Sequence, residues 1–460
     1  MRKERKKFCL SFLTSSSISS PLTPPPLPFP VPNNREEERK GPRLPFIARQ
    51  FPPFTPRQWR VFGISTTASF FDNYDSALLS LALKQIQHGL RIADARLGAT
   101  LSLIRLGYLV SLVLSPLADI FGRRRLLLYT IVGYTIFTGM SAVAPHTGSF
   151  VAAQFAARAF SGAEATVSLV ILAEEVDAAV RGWALGMQGA LSISGYGLAA
   201  IVFGMIGIIP FGWRGLYALA LFPLVLIIPL RRMLPESRRF EQVHQTQTIR
   251  PNVLAPLQAL LRSYPRRLLS IVTVVFIGSM AGGAVGFFVP KYLQEVHHWS
   301  PAQVSSLYVF GGALGIIGNI ASGRISDRFG RRITGPIFIA VEAALAYQLY
   351  TMHSGAVIIF WIGWLFCDQA GGTVTNAYSA ELFPTAFRSA SAGTLYVARY
   401  GGGAIGLLGE GLLYAATGSH WRAIRILTMC WLLAAVLMYL LFPETARREL
   451  EEIAPPVLTG

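Results

Sequence analysis

From Val61 onward the chain is a succession of apolar stretches, each roughly 18 to 25 residues long and separated from the next by a short polar break. At 1.5 Å per residue, a helix of that length crosses a hydrocarbon layer about 30 Å thick. Twelve such stretches can be counted, over about 61–83, 97–118, 126–144, 149–172, 183–206, 213–230, 268–290, 302–322, 334–352, 355–378, 389–413 and 421–442. Lipid offers no partner to a peptide group, so only helices and closed barrels span it. The hydrophobicity here is continuous, without the alternation of an outer-membrane strand. The expected fold class is an all-α membrane protein with twelve transmembrane helices.

Charge agrees with that reading. There are 41 Lys and Arg against 24 Asp and Glu, a formal charge of +17. Such an excess suggests nucleic acid until it is set beside a mean hydropathy of +0.46 and only 14% charged residues, which exclude a nucleic-acid partner and point to a lipid bilayer. Lys and Arg are retained on the cytoplasmic side of short loops. With the N-terminus inside, 31 of the 41 fall in cytoplasmic segments. The expectation is a multi-pass protein of the inner or plasma membrane with both termini cytoplasmic. Residues 1–58 hold 12 of the 28 prolines and a basic start, and are expected to be a disordered cytoplasmic tail. The short apolar piece Phe8 to Leu13 mimics a secretory signal, but no small-residue cleavage site closes it. An extension with no function, or a misassigned start, is the alternative. The three cysteines, Cys9, Cys367 and Cys430, have neither metal-ligand nor disulfide spacing. No metal site, cofactor, nucleotide loop or nucleophile constellation is found, so no catalytic residue is assigned and an enzyme is not expected.

The chain also repeats itself. SPLADIFGRRR (Ser115 to Arg125) follows the second stretch and GRISDRFGRR (Gly323 to Arg332) the eighth, placing Asp119 and Asp327 208 residues apart. Glu174 precedes Arg181 by seven, and Glu381 precedes Arg388 by seven, at an offset of 207. LPESRR and FPETARR, with Glu236 and Glu444, close the sixth and twelfth stretches; Trp213-Arg214 and Trp421-Arg422 open them. The chain therefore reads as two copies of a six-helix unit in one topology. The expected division is a tail over 1–58, a first bundle over 59–230, a cytoplasmic linker over 231–267, a second bundle over 268–445 and a C-terminal tail over 446–460.

At these residues the sequence resembles the major facilitator superfamily, over about 61–453, and its acidic and basic tags are similar to those of the sugar porter, organic ion and aromatic-acid:proton symporter branches. The first signature departs from the family by having Ser115 where Gly is usual and Ile120 where a basic residue is usual. The resemblance implies that Asp119, Gly122, Arg123, Glu174, Arg181, Glu236, Asp327, Arg328, Gly330, Arg331, Glu381, Arg388 and Glu444 form a cytoplasmic gate that latches shut while the outer side is open. Exposed ion pairs are each worth about 1 kcal/mol or less, yet a network of them can bias two states a few kcal/mol apart. Gly122 and Gly330 have a separate reason to be present, since tight turns need a residue that tolerates positive φ.

Ionisable groups within a bilayer cost at least ~2.5 kcal/mol on insertion scales, so each needs a partner or a wet cavity. Asp72 and Asp75 lie three apart, on one helical face. Asp75, Arg105 and Arg158 all fall roughly 9 to 14 Å below the outer boundary, and Arg399 about 16 Å from the inner one. A carboxylate's proton affinity rises on desolvation and falls beside an arginine. Asp75 with Arg158 is thus a candidate proton switch, with Asp72 an alternative site; a static ion pair joining helices one and four is the other reading. YDSALLS and Arg158-Ala-Phe-Ser-Gly162 resemble the corresponding segments of sugar:proton symporters. Glu164 either joins the proton path or binds a backbone or serine group. Arg399 resembles the cavity arginine of organic anion transporters and would grip a carboxylate; alternatively it pairs with Glu410 or Asp368. Arg105, Asn376, Tyr378, Tyr396 and Tyr400 complete the candidate substrate residues. Glu342 has no assigned role.

The function expected is proton-coupled symport of a small organic anion, a carboxylate or aromatic acid, by a monomer working through alternating access. A proton-driven exporter of drugs or metabolites would use the same parts, and a sugar porter lacks support because the seventh stretch carries no paired glutamines. A transporter-like membrane sensor is the alternative from another class.

Overall fold

A computed structural model describes Pro52 and residues 54–222, 255–384 and 387–446. The expectations for most of the N-terminal tail, for the linker before residue 255, for Glu236 and for the C-terminal tail beyond residue 446 lie outside the described residues.

Every described element is a helix. The first, α1, spans Pro56–Leu81 and starts inside the stretch expected to be tail, for a local reason. Thr55 and Gln58 cap each other's backbone and Pro56 occupies the first turn, where its missing N–H costs nothing. Arg57, also expected to be disordered, makes a bidentate pair with Glu175 at 2.9 and 2.8 Å. The first half continues with α2 (Leu83–Leu90), α3 (Asp94–Leu114), α4 (Ala118–Phe121), α5 (Arg123–Ala142), α6 (Thr147–Glu175), α7 (Ala178–Gly204) and α8 (Trp213–Leu219). A short helix, α9 (Ala255–Ser263), occupies part of the expected linker. The second half comprises α10 (Pro265–Glu295), α11 (Pro301–Phe329), α12 (Arg331–Leu349), α13 (Val357–Glu381), α14 (Arg388–Thr417), α15 (His420–Leu427) and α16 (Met429–Leu441). Among the described residues, six helical segments are long and apolar enough to cross a membrane by length and composition alone.

The repeat is visible in the backbone. Gly122 separates α4 from α5 at φ 94°, and Gly330 separates α11 from α12 at φ 89°, so both turns use a region that L side chains avoid. These turns mark the arginine-loop end of the bundle; the end bearing the start of α3 and of α15 is opposite.

The halves meet chiefly where α3 packs on α14 and α7 on α11, with α1 touching α10. At the end opposite the arginine loops, side chains reach across. Gln85 donates to Gln294 at 2.6 Å, Lys84 to the Gln294 carbonyl at 3.3 Å and Ser80 to the Phe287 carbonyl at 3.1 Å.

Candidate functional site

The middle of α1 brings Asp75 against α6. Its carboxylate lies 2.9 Å from Arg158, and the two side chains are 1% and 3% exposed, so the charges are removed from water together. A buried pair survives only if the remaining donors are used. Arg158 donates to Ser76 Oγ at 2.6 Å, to Gln154 Oε1 at 2.9 Å and to the Asp75 carbonyl at 3.3 Å. Asp72, one turn away, receives the Ser161 hydroxyl, and Glu164 is wholly buried near Asp72 with Ser69 and Ser168 beside it. All four residues expected on the proton path therefore belong to one buried cluster between α1 and α6.

Arg158 also borders the central cavity, a space of about 830 Å³ between the halves. Its guanidinium lies 6.0 Å from the Tyr108 ring centroid, the Tyr108 hydroxyl is 3.1 Å from Ser76 Oγ, and the Tyr108 ring lies tilted against Tyr400 at 4.2 Å. Arg105 lies 5.5 Å from the Tyr400 ring and 5.8 Å from Phe287. Its Nε is buried without a hydrogen-bond partner, and among the described residues no carboxylate pairs with it. A continuous path thus runs from Asp75 through Arg158, Tyr108 and Tyr400 to an unneutralised guanidinium. Tyr196, Tyr308, Trp361 and Trp364 supply the aromatic walls. Sequence reasoning missed these four; the one local signal is Tyr108, three residues after Arg105 and on the same helix face.

Arg399, singled out as the anion grip, sits elsewhere. It donates to Asn376 at 3.1 Å, and both line a second cavity of about 360 Å³, walled mainly by the second half, together with Asp368 and Glu342. Those two carboxyls lie within hydrogen-bonding reach of each other. Two carboxyl groups so close share a proton when they hydrogen-bond, which gives Glu342 the physical account that its sequence position withheld. Arg105 lines both cavities. Tyr396 joins the two halves by way of Ser111 at 3.4 Å and lies tilted against Tyr400 at 4.4 Å. Tyr378 is not brought to either cavity: it is buried at the arginine-loop end, on the Phe442 ring, with its hydroxyl donating to the Pro443 carbonyl at 3.1 Å.

At that end, Glu174 pairs with Arg123 and Glu381 with Arg331, which also binds Asp327 at 3.1 Å. Each glutamate is thus held by the signature loop of its own half. Arg181 and Arg388 donate to carbonyls, Arg181 to Val176 (3.5 Å) and Arg388 to Ala380 (3.0 Å). Arg328 lies 5.4 Å from the Phe329 ring. Glu444 receives the backbone N–H groups of Arg331 and Arg332 at 2.9 and 3.1 Å, an anion on the start of α12. Partial burial pushes its carboxyl up, but those two groups with the N–H of Ala446 and Thr445 outweigh it and leave Glu444 below its ordinary value. The Asp119 side chain lies outside the described residues.

Residues 66–375, well over half of the chain, match the family model described as Major Facilitator Superfamily. The chain belongs to the Major Facilitator Superfamily. It is 26% identical over 416 residues to a probable 4-methylmuconolactone transporter of Cupriavidus pinatubonensis, covering 87% of this chain and 94% of that protein. It is 25% identical over 421 residues to the 4-hydroxybenzoate transporter PcaK of Pseudomonas aeruginosa, covering 84% and 92%. In fold it matches the inward open conformation of the xylose transporter XylE from E. coli, with a TM-score of 0.69 at 18% identity, over 86% of this chain and 99% of that one. As a major facilitator protein it is a multi-pass, all-α membrane transporter and not an enzyme.

Proposed function

We propose that the protein is a proton-coupled symporter of a small organic anion, an aromatic or unsaturated carboxylate, working by alternating access as a monomer in the inner or plasma membrane with both termini cytoplasmic. The observation that carries this reading is the buried Asp75–Arg158 pair at the wall of an aromatic cavity in which Arg105 has no anionic partner. An unneutralised guanidinium in a low-dielectric space is a strong attractor for a carboxylate, and its planar fork suits one. Aromatic walls suit a flat, unsaturated body. Relatives named for 4-hydroxybenzoate and 4-methylmuconolactone fit that class.

In this mechanism a proton neutralises Asp75 and releases Arg158 from its partner. Through Ser76 and Tyr108 the guanidinium is already in contact with the cavity wall, where it reinforces Arg105 as the anion site. Neutralising anion and proton together leaves the halves free to rock, since neither charge is then uncompensated in the bilayer. On the inner side the proton leaves, Asp75 recaptures Arg158 and the anion site weakens. The excess of Lys and Arg at the arginine-loop end supports its being cytoplasmic.

Proteoliposomes with an inward proton gradient test this. Benzoate-type anions are expected to accumulate, accumulation is expected to collapse with a protonophore, and Asp75→Asn is expected to exchange anion without concentrating it. Uptake indifferent to both the gradient and Asp75→Asn removes the coupling scheme.

A further inference from the structure

At the end opposite the arginine loops, a second set of ionisable groups ties the halves together, and the transport scheme leaves it unused. His420, at the start of α15, is 5% exposed and faces a carboxylate from each ring nitrogen: Nδ1 lies 2.5 Å from Glu410 Oε1, and Nε2 3.2 Å from Asp94 Oδ1. Glu410 belongs to the same half and is completely buried, with its other oxygen lacking a hydrogen-bond partner. Asp94 belongs to the opposite half. The same Asp94 oxygen lies 3.3 Å from Lys291, which is 2% exposed and also reaches Gln87 at 2.7 Å and Glu295 at 3.2 Å.

The chemistry of the imidazole decides what this arrangement requires. A neutral ring has one N–H and one lone pair, so only one of its nitrogens can donate. Here both nitrogens face carboxylate oxygens, and a lone pair set against a carboxylate repels it. The contacts are satisfied when the unit carries one extra proton, as imidazolium or as a protonated carboxyl. The surrounding charge has the same sign of preference. Among the described residues, Asp94 on α3, Glu295 on α10 and Glu410 on α14 gather here, and the fixed cation paired with them is Lys291, held by Asp94 and Glu295. The other titratable neighbours are Tyr414, stacked on His420 at 4.4 Å, and Tyr350, close to Glu410; Phe288 covers the ring at 5.1 Å. Parting the halves here takes Asp94 from His420 and leaves only Glu410 beside it.

We propose that His420, Glu410, Asp94 and Lys291 form a proton-binding clasp at the outer end, which takes a proton on closing and releases it on opening. By linkage, a site that binds protons more tightly when closed makes closure more favourable as external pH falls. The external proton then acts twice in a cycle, at this clasp to shut the outer side and at Asp75 to license the anion. The inference rests on the transport reading for its orientation.

The test is a distance across the outer end. Spin labels go on Ile208→Cys and Ser354→Cys, both exposed and in opposite halves, in the full-length chain with Cys9, Cys367 and Cys430 replaced by serine, in lipid nanodiscs. Lowering the pH from about 8 to about 5.5 is expected to raise the ratio of short to long distances at least ~3-fold. His420→Gln is expected to abolish that response and Asp94→Asn to reduce it. A labelled protein without the pH response, or one that keeps it in His420→Gln, overturns the clasp. A response lost in Asp75→Asn but kept in His420→Gln also overturns it. Failure of the transport reading is separate: distances then follow pH although no anion accumulates in proteoliposomes.

Discussion

Arg105 and Arg399 carry the same guanidinium and both occur among apolar neighbours, yet the fold gives them different work. Arg399 has Asn376 as a partner and shares its cavity with Asp368 and Glu342. Arg105 also lines that cavity, but its guanidinium lies by aromatic rings and forms no ion pair among the described residues. Hydrogen bonds to charged groups are worth ~1.5–3 kcal/mol, so Arg105→Gln is expected to weaken binding of a monocarboxylate roughly 10- to 150-fold. Isothermal titration with an acid and its methyl ester checks it: the ester's affinity is expected to change by less than about threefold, since it has no charge to lose. The residue types were legible in the chain, because an intramembrane charge is expensive and needs a reason. Their partners were not. Asp72 and Asp75 are both on the face of α1 that meets α6, but which arginine each meets depends on how two helices are rotated against each other.

At the level of elements, the repeated acidic tag has a clear local purpose in the second half. Glu444 leaves the last span and closes the start of α12, where Gly330 adopts φ 89° and a Cβ would lie 2.5 Å from the Glu444 carboxylate. The turn thus needs glycine twice, for conformation and for room. Because the folded state holds Glu444 below its reference value of 4.5, its stabilisation is complete above that pH and is lost as pH falls through the lower folded value. Thermal melts in detergent are expected to show Glu444→Ala less stable by about 1 kcal/mol at neutral pH, the usual worth of a helix cap. The gap is expected to close in acid. The offset of 208 residues revealed that the two tags correspond. It did not say which charges meet; the loop geometry supplies Arg123 to Glu174 and Arg331 to Glu381.

For the whole molecule, the equilibrium between two openings depends on surfaces that separate and rejoin. Gly98 in α3 is one such close contact at the end opposite the arginine loops: a Cβ there would lie 2.4 Å from the Leu407 carbonyl oxygen and 2.7 Å from the Gly411 nitrogen of α14. Both obstacles are backbone and cannot swing aside. Gly98→Val is therefore expected to disfavour outer closure, and overpacking of this kind costs ~1–3 kcal/mol, or roughly a 5- to 150-fold population shift. The same labelled pair across the outer end is expected to show the long distance predominating, and turnover is expected to fall while outside binding is retained.

The chain by itself determined the class of fold, because uninterrupted apolar stretches long enough for a bilayer admit only helices, and it determined the duplication and the buried charges, because each is written in residue type and spacing. Only the tertiary structure decided which charges meet. Arg105 rather than Arg399 stands before the aromatic cavity, and Asp94 and Lys291 come from distant parts of the chain to meet Glu410 and His420. Spacing along one helix gives the direction of a side chain, but the neighbour in that direction is set by the packing of a second helix, which no local pattern encodes.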